Sequence, residues 1–513
     1  MKNIFRNILA MAGICGLIFT GCKNSLDLTP VSSLSDASYW KTADQFDAFV
    51  NGVYTRFRTH NTNFEYLGEL RSDNFGTDPG STATFTGEAT QGLERMWLQT
   101  LDADNAVVTG FGTFYTNINQ INLLIQKLNT TDVLTAAKKN NYLGMAYGLR
   151  AFYYFQLYRS WGKTIIQTEP TTMVDVANLA KAASSETEVM ALIKADIDQS
   201  NTSFGTDYTF NSSGKRGFWS KSATQMLKAE VYLWNAHRSG GAADATTAKT
   251  ALTDIQSNVS LVLLPNFADV FSSTNKDNNE MIFGSRNKLN EATLPFITNF
   301  VPQTGLIVNF SDSVGKRKFD VTADNYGGLL RAPTKIATYR KFSNLDTRKN
   351  SSIQSAYSVN SGGTYVIAGA FLKKYQGEQN GGVRAYTNDF PVYRYADLLL
   401  LLAEAKVILG ENPAAEINLV RARAYGQNYN AATLGYPNQA ADVNANEAIL
   451  KERQLEFIGE GKRWYDLRRM GDSYVYEYTP ITLATSYKLL WPLDRSTLTN
   501  NRALTQNPGY PAF

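Results

Sequence analysis

Two cysteines and two histidines in 513 residues leave little room for thiol, metal or imidazole chemistry. Cys15 lies inside an apolar N-terminal run, so once that run is removed only Cys22 remains and no intramolecular disulfide can form. His60 and His237 are too few for a zinc cluster or a Cys/His dyad, and no G-x-S-x-G elbow accompanies either. Net charge is scarce too. Fifty Lys and Arg against 46 Asp and Glu leave +4, which gives no electrostatic reason to expect nucleic acid as a partner. Beyond residue 22 no apolar run approaches the roughly 20 residues of a membrane-spanning helix. The strongest stretch, 398–403, gives way to Glu404 and Lys406. Gly459-Glu460-Gly461-Lys462 lacks the first glycine of a phosphate loop and has Arg463 where Ser or Thr must hold magnesium, which excludes that motif.

The first residues do carry a signal. Lys2 and Arg6 precede an apolar run over 8–19, about a dozen residues and too short to span a bilayer. It ends at Phe19-Thr20-Gly21-Cys22, where small residues suit a signal peptidase and the thiol can take a lipid; Phe19 stands where Leu is usual. Residues 1–21 are therefore expected to be a lipoprotein signal peptide, with Cys22 the lipid attachment site. Residues 23–38 would be a polar tether, and the chain would be held at a membrane by its N-terminus. The alternative is an ordinary cleaved signal with an incidental cysteine.

Aromatic residues are abundant, at 12% with 28 Tyr and 27 Phe, and must fill a core, line a binding surface, or both. Helical periodicity predicts helices over 43–58, 115–128, 136–161, 186–201, 220–238, 246–259, 395–409, 414–424 and 445–470. Residues 73–90 are rich in Gly, Thr and Asp without periodicity, and read as a long loop. The helix pairs suggest stacked tetratricopeptide-like units, though no strict 34-residue repeat is visible. Over 261–391 the character changes to Gly, Asn, Ser, Thr and aromatics, with short alternating stretches at 281–283 and 365–367 that look like strands. The predicted fold is mainly α: a tetratricopeptide-like helical-repeat scaffold with an irregular, loop-rich segment containing short strands. Residues 22–513 form one domain, divided into an N-terminal helical part (22–260), the irregular segment (261–391) and a C-terminal helical part with its tail (392–513).

Glu452, Glu456 and Glu460 recur at four-residue spacing near the C-terminus. A glycosidase needs two carboxylates facing each other across a substrate, whereas side chains on one helical face point the same way. Arg453, Arg463 and Arg468 lie close enough in sequence to pair with them. The expectation is a structural ion-pair network and no catalytic residue.

Arg394-Tyr395-Ala396-Asp397-Leu398-Leu399-Leu400, Ile417-Asn418-Leu419-Val420-Arg421-Ala422-Arg423 and Glu452-Arg453-Gln454-Leu455-Glu456-Phe457 resemble blocks of the SusD/RagB family. So do the run Gly459 to Arg469, which contains Lys462-Arg463-Trp464-Tyr465-Asp466, and the ending Trp491-Pro492-Leu493-Asp494 with Asn507-Pro508-Gly509-Tyr510. Upstream, Arg150-Ala151-Phe152-Tyr153-Tyr154-Phe155 and Asn279-Glu280-Met281-Ile282-Phe283 are similar to further blocks, and all occur in family order. Lys462 stands where histidine is common, and Leu493-Asp494 replaces a more usual Ile-Pro. The resemblance implies a surface-exposed, lipid-anchored protein of the outer membrane that acts as a lid on a SusC-like, TonB-dependent transporter. Its ligand would be an oligosaccharide or polysaccharide, bound without catalysis, cofactor or metal. In the RagB branch of the family the implied ligand is instead a peptide.

Sugars present apolar C–H faces and polar rims, so proteins hold them with aromatic rings and with Asp, Asn and Arg on adjacent hydroxyls. In the family the ligand site draws on the loop after the first helix and on the irregular middle segment, which makes 261–391 the ligand side. Asp73, Asn74, Phe75, Asp78 and Phe85 in the first region, with Phe296, Phe300 and Tyr326 in the second, are the candidate binding residues; the alternative for Phe75, Phe85, Phe296 and Phe300 is a packed core ring, and for Asp73 a turn cap. Tyr326, beside two glycines, is expected to be exposed.

Overall fold

A computed structural model describes residues 39–77, 85, 87, 91–172, 180–210, 215–312, 314–438 and 442–512. The expected signal peptide, Cys22 and tether lie outside the described residues. The fold is mainly α, a tetratricopeptide-like stack of helices. Its first helix, α1 (Ala43–Thr59), opens on a capping box in which Thr42 accepts from the Gln45 N–H and the Gln45 side chain reaches back. It buries Phe46, Val50, Val53 and Phe57. After His60 the short α2 (Asn61–Glu69) leads into the loop region. The stack continues with α3 (Gly110–Thr130), α4 (Ala136–Trp161), α5 (Glu186–Phe204), α6 (Lys221–Asn235) and α7 (Gly241–Asn258). Each packs on the next, and Thr135, Ser185 and Ser220 cap α4, α5 and α6.

Among the described residues there are eight strands, all short. They are β1 (Met281–Ser285), β2 (Ser311–Asp312), β3 (Arg317–Lys318), β4 (Ile353–Val359), β5 (Tyr365–Leu372), β6 (Glu378–Asn380), β7 (Val383–Ala385) and β8 (Phe390–Arg394). β4 and β5 form an antiparallel hairpin with Ser355 opposite Ala370, extended to the order β3-β2-β4-β5. β1 pairs with β8, which carries Glu280 to Arg394. The chain then returns to helices: α8 (Tyr395–Ile408), α9 (Ala414–Tyr425), α10 (Ala445–Phe457) and α11 (Arg463–Met470). α8 packs on α7, α9 and α10. It is buried from Ala396 to Ala405, so its leucine run is a core helix.

The single helix expected over 445–470 is two. Gly459 (φ 76°) and Gly461 (φ 67°) take left-handed backbone between α10 and α11, a conformation glycine adopts without steric cost. Glu460 therefore lies in the turn, off the helical face that carries Glu452 and Glu456. The turn also receives α2. A Cβ on Gly68 would lie 1.7 Å from the Gly461 carbonyl oxygen, so only glycine permits that approach.

The carboxylates of this region pair with partners from other elements, which corrects the expected local pairs. Arg394 contacts Glu280 (2.9 Å), Glu456 (2.6 Å) and Glu460 (2.8 Å). Arg348 contacts Asp346, Glu452 and Glu456, Lys374 reaches Glu460, and Arg423 reaches Glu280 and Glu456. Arg453 instead pairs with Asp397 and Asp466, Arg463 with Asp73, and Arg468 donates to the carbonyls of Arg159 and Leu489. The glutamate face of α10 is turned inward onto the strands and α9, so the cations there reach it first. Burial raises the Glu456 carboxyl, but Arg423, Arg394 and Arg348 outweigh it and hold the group well below the usual carboxylate range. Such a group stays ionised and fully partnered, a scaffold rather than an acid or base.

Candidate functional site

The predicted binding residues form a floor. Phe75, Phe296 and Phe300 are 0% exposed, with Phe300 edge-on to Phe75 (4.8 Å between centroids) and to Phe296 (5.9 Å). Phe85 packs against Phe310 and Phe371. The Asn74 amide donates to Glu69 (2.6 Å) and accepts from Gln454 (2.8 Å). Asp73 is held by Arg463 and Lys341, both at 2.8 Å; burial raises its carboxyl, but these cations hold it well below the usual range. Tyr326 is half-buried, edge-on to Phe371 (4.9 Å) with the Arg384 guanidinium over its ring (5.4 Å). Asp78 lies outside the described residues. The four phenylalanines and Asn74 are thus core, which corrects the expectation that their faces meet ligand: the rings sit in irregular backbone yet point inward, where apolar burial stabilises most. Tyr326 alone among the described candidate rings keeps part of its surface open.

None of these residues lines the open cleft of about 430 Å³ nearby, which they adjoin through the contact of Phe300 with Tyr66 (6.2 Å between centroids). One wall comes from the irregular segment. Residues 328–332 run beside 298–302, with Leu329 N–H donating to Thr298 O (2.7 Å), Leu330 to Val301 (2.9 Å) and Ala332 to Asn299 (2.8 Å). Because Phe296, Ile297 and Phe300 face the core, Asn299 is left toward the cleft with Arg331 beside it. The facing wall starts where the loop after α2 returns, at Gln91, and continues through Arg95 to 103–107. There the Asp102 carboxylate accepts from the N–H of Asp104 (2.9 Å) and Asn105 (2.8 Å), which folds a tight turn. The C-terminal tail braces it: Arg495 N–H donates to Ala103 O (2.8 Å), and the Arg495 side chain pairs with Asp104.

Two features set this cleft apart. Among the described residues seven non-glycine residues have φ in the left-handed region; of these Gln91 and Val107 line the cleft and Leu330 adjoins Arg331 of its lining. Each such residue costs about 1–3 kcal/mol, most clearly for β-branched Val107, and such strain clusters at ligand clamps. The polar groups are also incompletely used. The Asn299 amide donates to the Tyr66 hydroxyl (2.6 Å), while its buried Oδ1 has no hydrogen-bond partner. Burial pushes the Tyr66 phenol up to about 12, so the hydroxyl keeps its proton, for which no acceptor stands among the described residues. The unused acceptor is buried behind the cleft wall beside the Tyr66 hydroxyl, so the pair borders the cleft rather than projecting into it. The lining carboxylates are committed, Asp104 to Arg495 and Asp494 to capping the helix Arg495–Asn500. The arrangement can orient hydroxyls; it brings no free carboxylate pair to them.

Composition did not single out Tyr66, Gln91, Arg95, Asn105, Asn299 or Arg331. The one available signal was positional: Asn299 immediately precedes a phenylalanine whose neighbours 296 and 297 are apolar, so the polar residue had to face away from the core.

Comparison with known proteins bears on this geometry. The model of the SusD family matches residues 318–510, and a model described as starch-binding, associating with the outer membrane, matches residues 25–252. The solved structure of NanU from B. fragilis is 45% identical, covers 94% of this chain and 100% of its own, and superposes with a TM-score of 0.87. The SusD-like protein P38 of Formosa agariphila is 26% identical across 99% of both chains. Surface glycan-binding protein A from Bacteroides thetaiotaomicron, solved in complex with laminarihexaose, is 19% identical over 91% of this chain and 99% of its own, with a TM-score of 0.66, a likeness of fold.

Proposed function

The chain belongs to the SusD family, and from that premise we propose that it captures a glycan at the cell surface in the cleft between Asn299 and Val107, without turning it over. In this reading Cys22 carries the lipid, and the protein passes its ligand to a SusC-like, TonB-dependent transporter of the outer membrane. The observation that carries the reading is the coincidence of strained backbone with unused hydrogen-bonding groups at Asn299 and Tyr66, where the loop after α2 meets the irregular segment. Sugar hydroxyls both donate and accept, so one hydroxyl can satisfy the Asn299 acceptor and the Tyr66 donor together.

Affinity electrophoresis of the mature protein on a polysaccharide panel tests this. At least one glycan should retard it, and Asn299→Ala or Arg95→Ala should reduce the retardation. Indifference to every glycan with binding to an oligopeptide mixture would turn the reading to peptide capture, and release of reducing ends would make the protein a hydrolase. Cys22→Ala should move the protein from the membrane to the soluble fraction, and co-purification of a barrel transporter with the wild type tests delivery.

A further inference from the structure

A second cavity, about 360 Å³, shares no lining residue with the first. Its walls are α1, the segment leading into α6, and β1 with the turn that follows. The lining carries four cations, Arg58, Lys215, Arg286 and Lys288, and one carboxylate, Glu291, with Lys215 engaged by a partner of its own. Glu291 is 51% exposed and bonds Arg58 (2.6 Å) across the two walls. Arg286 is compensated from outside the lining by Asp277 and Asp389. The floor is aromatic. Phe218 lies edge-on to Tyr54 (4.8 Å), whose hydroxyl is fixed by the Trp219 N–H (2.8 Å). Ser285, 3% exposed, lines the cavity with a hydroxyl that has no hydrogen-bond partner. A protein seldom leaves a buried hydroxyl unsatisfied, least of all beside a cavity large enough to hold a small ligand.

We propose that this cavity is a second binding site, selective for a saccharide that bears an anionic group. Arg58 and Lys288 would meet the carboxylate or sulfate, and the Tyr54–Phe218 pair an apolar sugar face. Glu291 then acts as an internal competitor that occupies Arg58 until a ligand anion displaces it. This site stands or falls independently of the first cleft.

The test is calorimetric titration of the mature protein at low salt, where charge contacts are least screened. The probes are a glucuronate-bearing disaccharide, a sulfated disaccharide, their neutral parent, and inorganic sulfate. At least one charged disaccharide should bind ten-fold or more tighter than the neutral one, and which of the two does so names the anion. Two substitutions of exposed residues should then act in opposite directions: Glu291→Gln tightens binding several-fold by releasing Arg58, and Lys288→Glu weakens it about ten-fold. A merely structural role for Glu291 would produce loss or no change. The proposal is overturned if the neutral parent binds as well as the charged sugars, if Glu291→Gln brings no gain, or if inorganic sulfate alone matches the sugars, which would mean an adventitious ion only. It is equally overturned if Asn299→Ala abolishes the binding, since the ligand would then sit in the first cleft.

Discussion

Around Glu456 the carboxylates of Glu280, Glu456 and Glu460 are wholly buried, and each faces one or more of Arg348, Lys374, Arg394 and Arg423. In the cleft, Asn299 and Tyr66 are joined to one another but leave an acceptor and a donor over, on walls whose backbone is held at unfavourable φ. Both regions are rich in polar groups; what separates them is the pairing of charge with opposite charge. Where every charge has its partners, nothing remains for a ligand and the cluster fixes the packing of α8, α10 and the strands. Where partners are missing and strain is tolerated, the protein has spent stability on a shape. A signature dense in charge therefore marks the scaffold here, and the proposed binding cleft lies in segments with no signature.

The largest test of this contrast is Arg394→Ala. It takes one cation from each of three buried carboxylates, which keep Arg423, Arg348 or Lys374, and should cost about 3–5 kcal/mol in urea unfolding; a loss under ~1 kcal/mol would mean that the lattice is not a scaffold. Acidity sharpens the same point with a second sign. Burial raises the Glu69 carboxyl to about 7, from a model-peptide value of 4.5, beside Glu65, which burial and the Glu69 charge also raise. In the folded state Glu69 thus binds a proton more tightly than when unfolded, so its contribution is full below about pH 4.5 and is lost as pH rises to about 7. Asp397 is opposite. Burial raises it, but Lys462 and Arg453 lower it to about 2 from 3.8, so its contribution is lost as pH falls through that window. Stability should peak in mildly acidic solution, and Glu69→Gln should flatten the decline between pH 5 and 7.5, worth ~2 kcal/mol.

On the cleft side the effects are smaller and separable from folding. Asn299→Ala should weaken glycan binding about ten-fold, near 1.4 kcal/mol, while the unfolding midpoint stays put; a parallel loss of stability would place Asn299 with the scaffold. Smallest is Gln91→Gly. Gln91 is exposed at φ 52°, so glycine relieves the backbone and should raise stability by up to ~1 kcal/mol while glycan affinity falls a few-fold. Opposite signs in the two assays are the outcome that supports a strained clamp.

Much of the architecture was legible in the sequence. The periodicities over 43–58, 136–161 and 395–409 became α1, α4 and α8 within a residue or so, because their apolar faces match the helical repeat. The break at 457 was hidden: Gly459 and Gly461 sit among strong helix formers, and only the arrival of Gly68 from α2 explains why the chain turns there. Phe75, Phe296 and Phe300 misled for a related reason. Irregular backbone suggests an exposed loop, but whether a ring on it faces solvent depends on what packs beneath. Here they pack on one another. The cleft residues carry no pattern at all, since Tyr66, Asn105 and Arg331 are brought together by three separate segments.

The seating of Gly68 against Gly461 also has a temporal side. A chain made from its N-terminus presents α2 long before the turn that receives it, and Arg71 likewise waits for the carbonyls of Lys488 and Leu490, and Asp73 for Arg463. Contacts of such long sequence separation form late and slow the overall folding rate. The stretch leading into the cleft thus cannot mature during synthesis. The cleft should take its final shape only after the last few dozen residues have been made, which makes the C-terminal tail the latch on a fold that closes all at once.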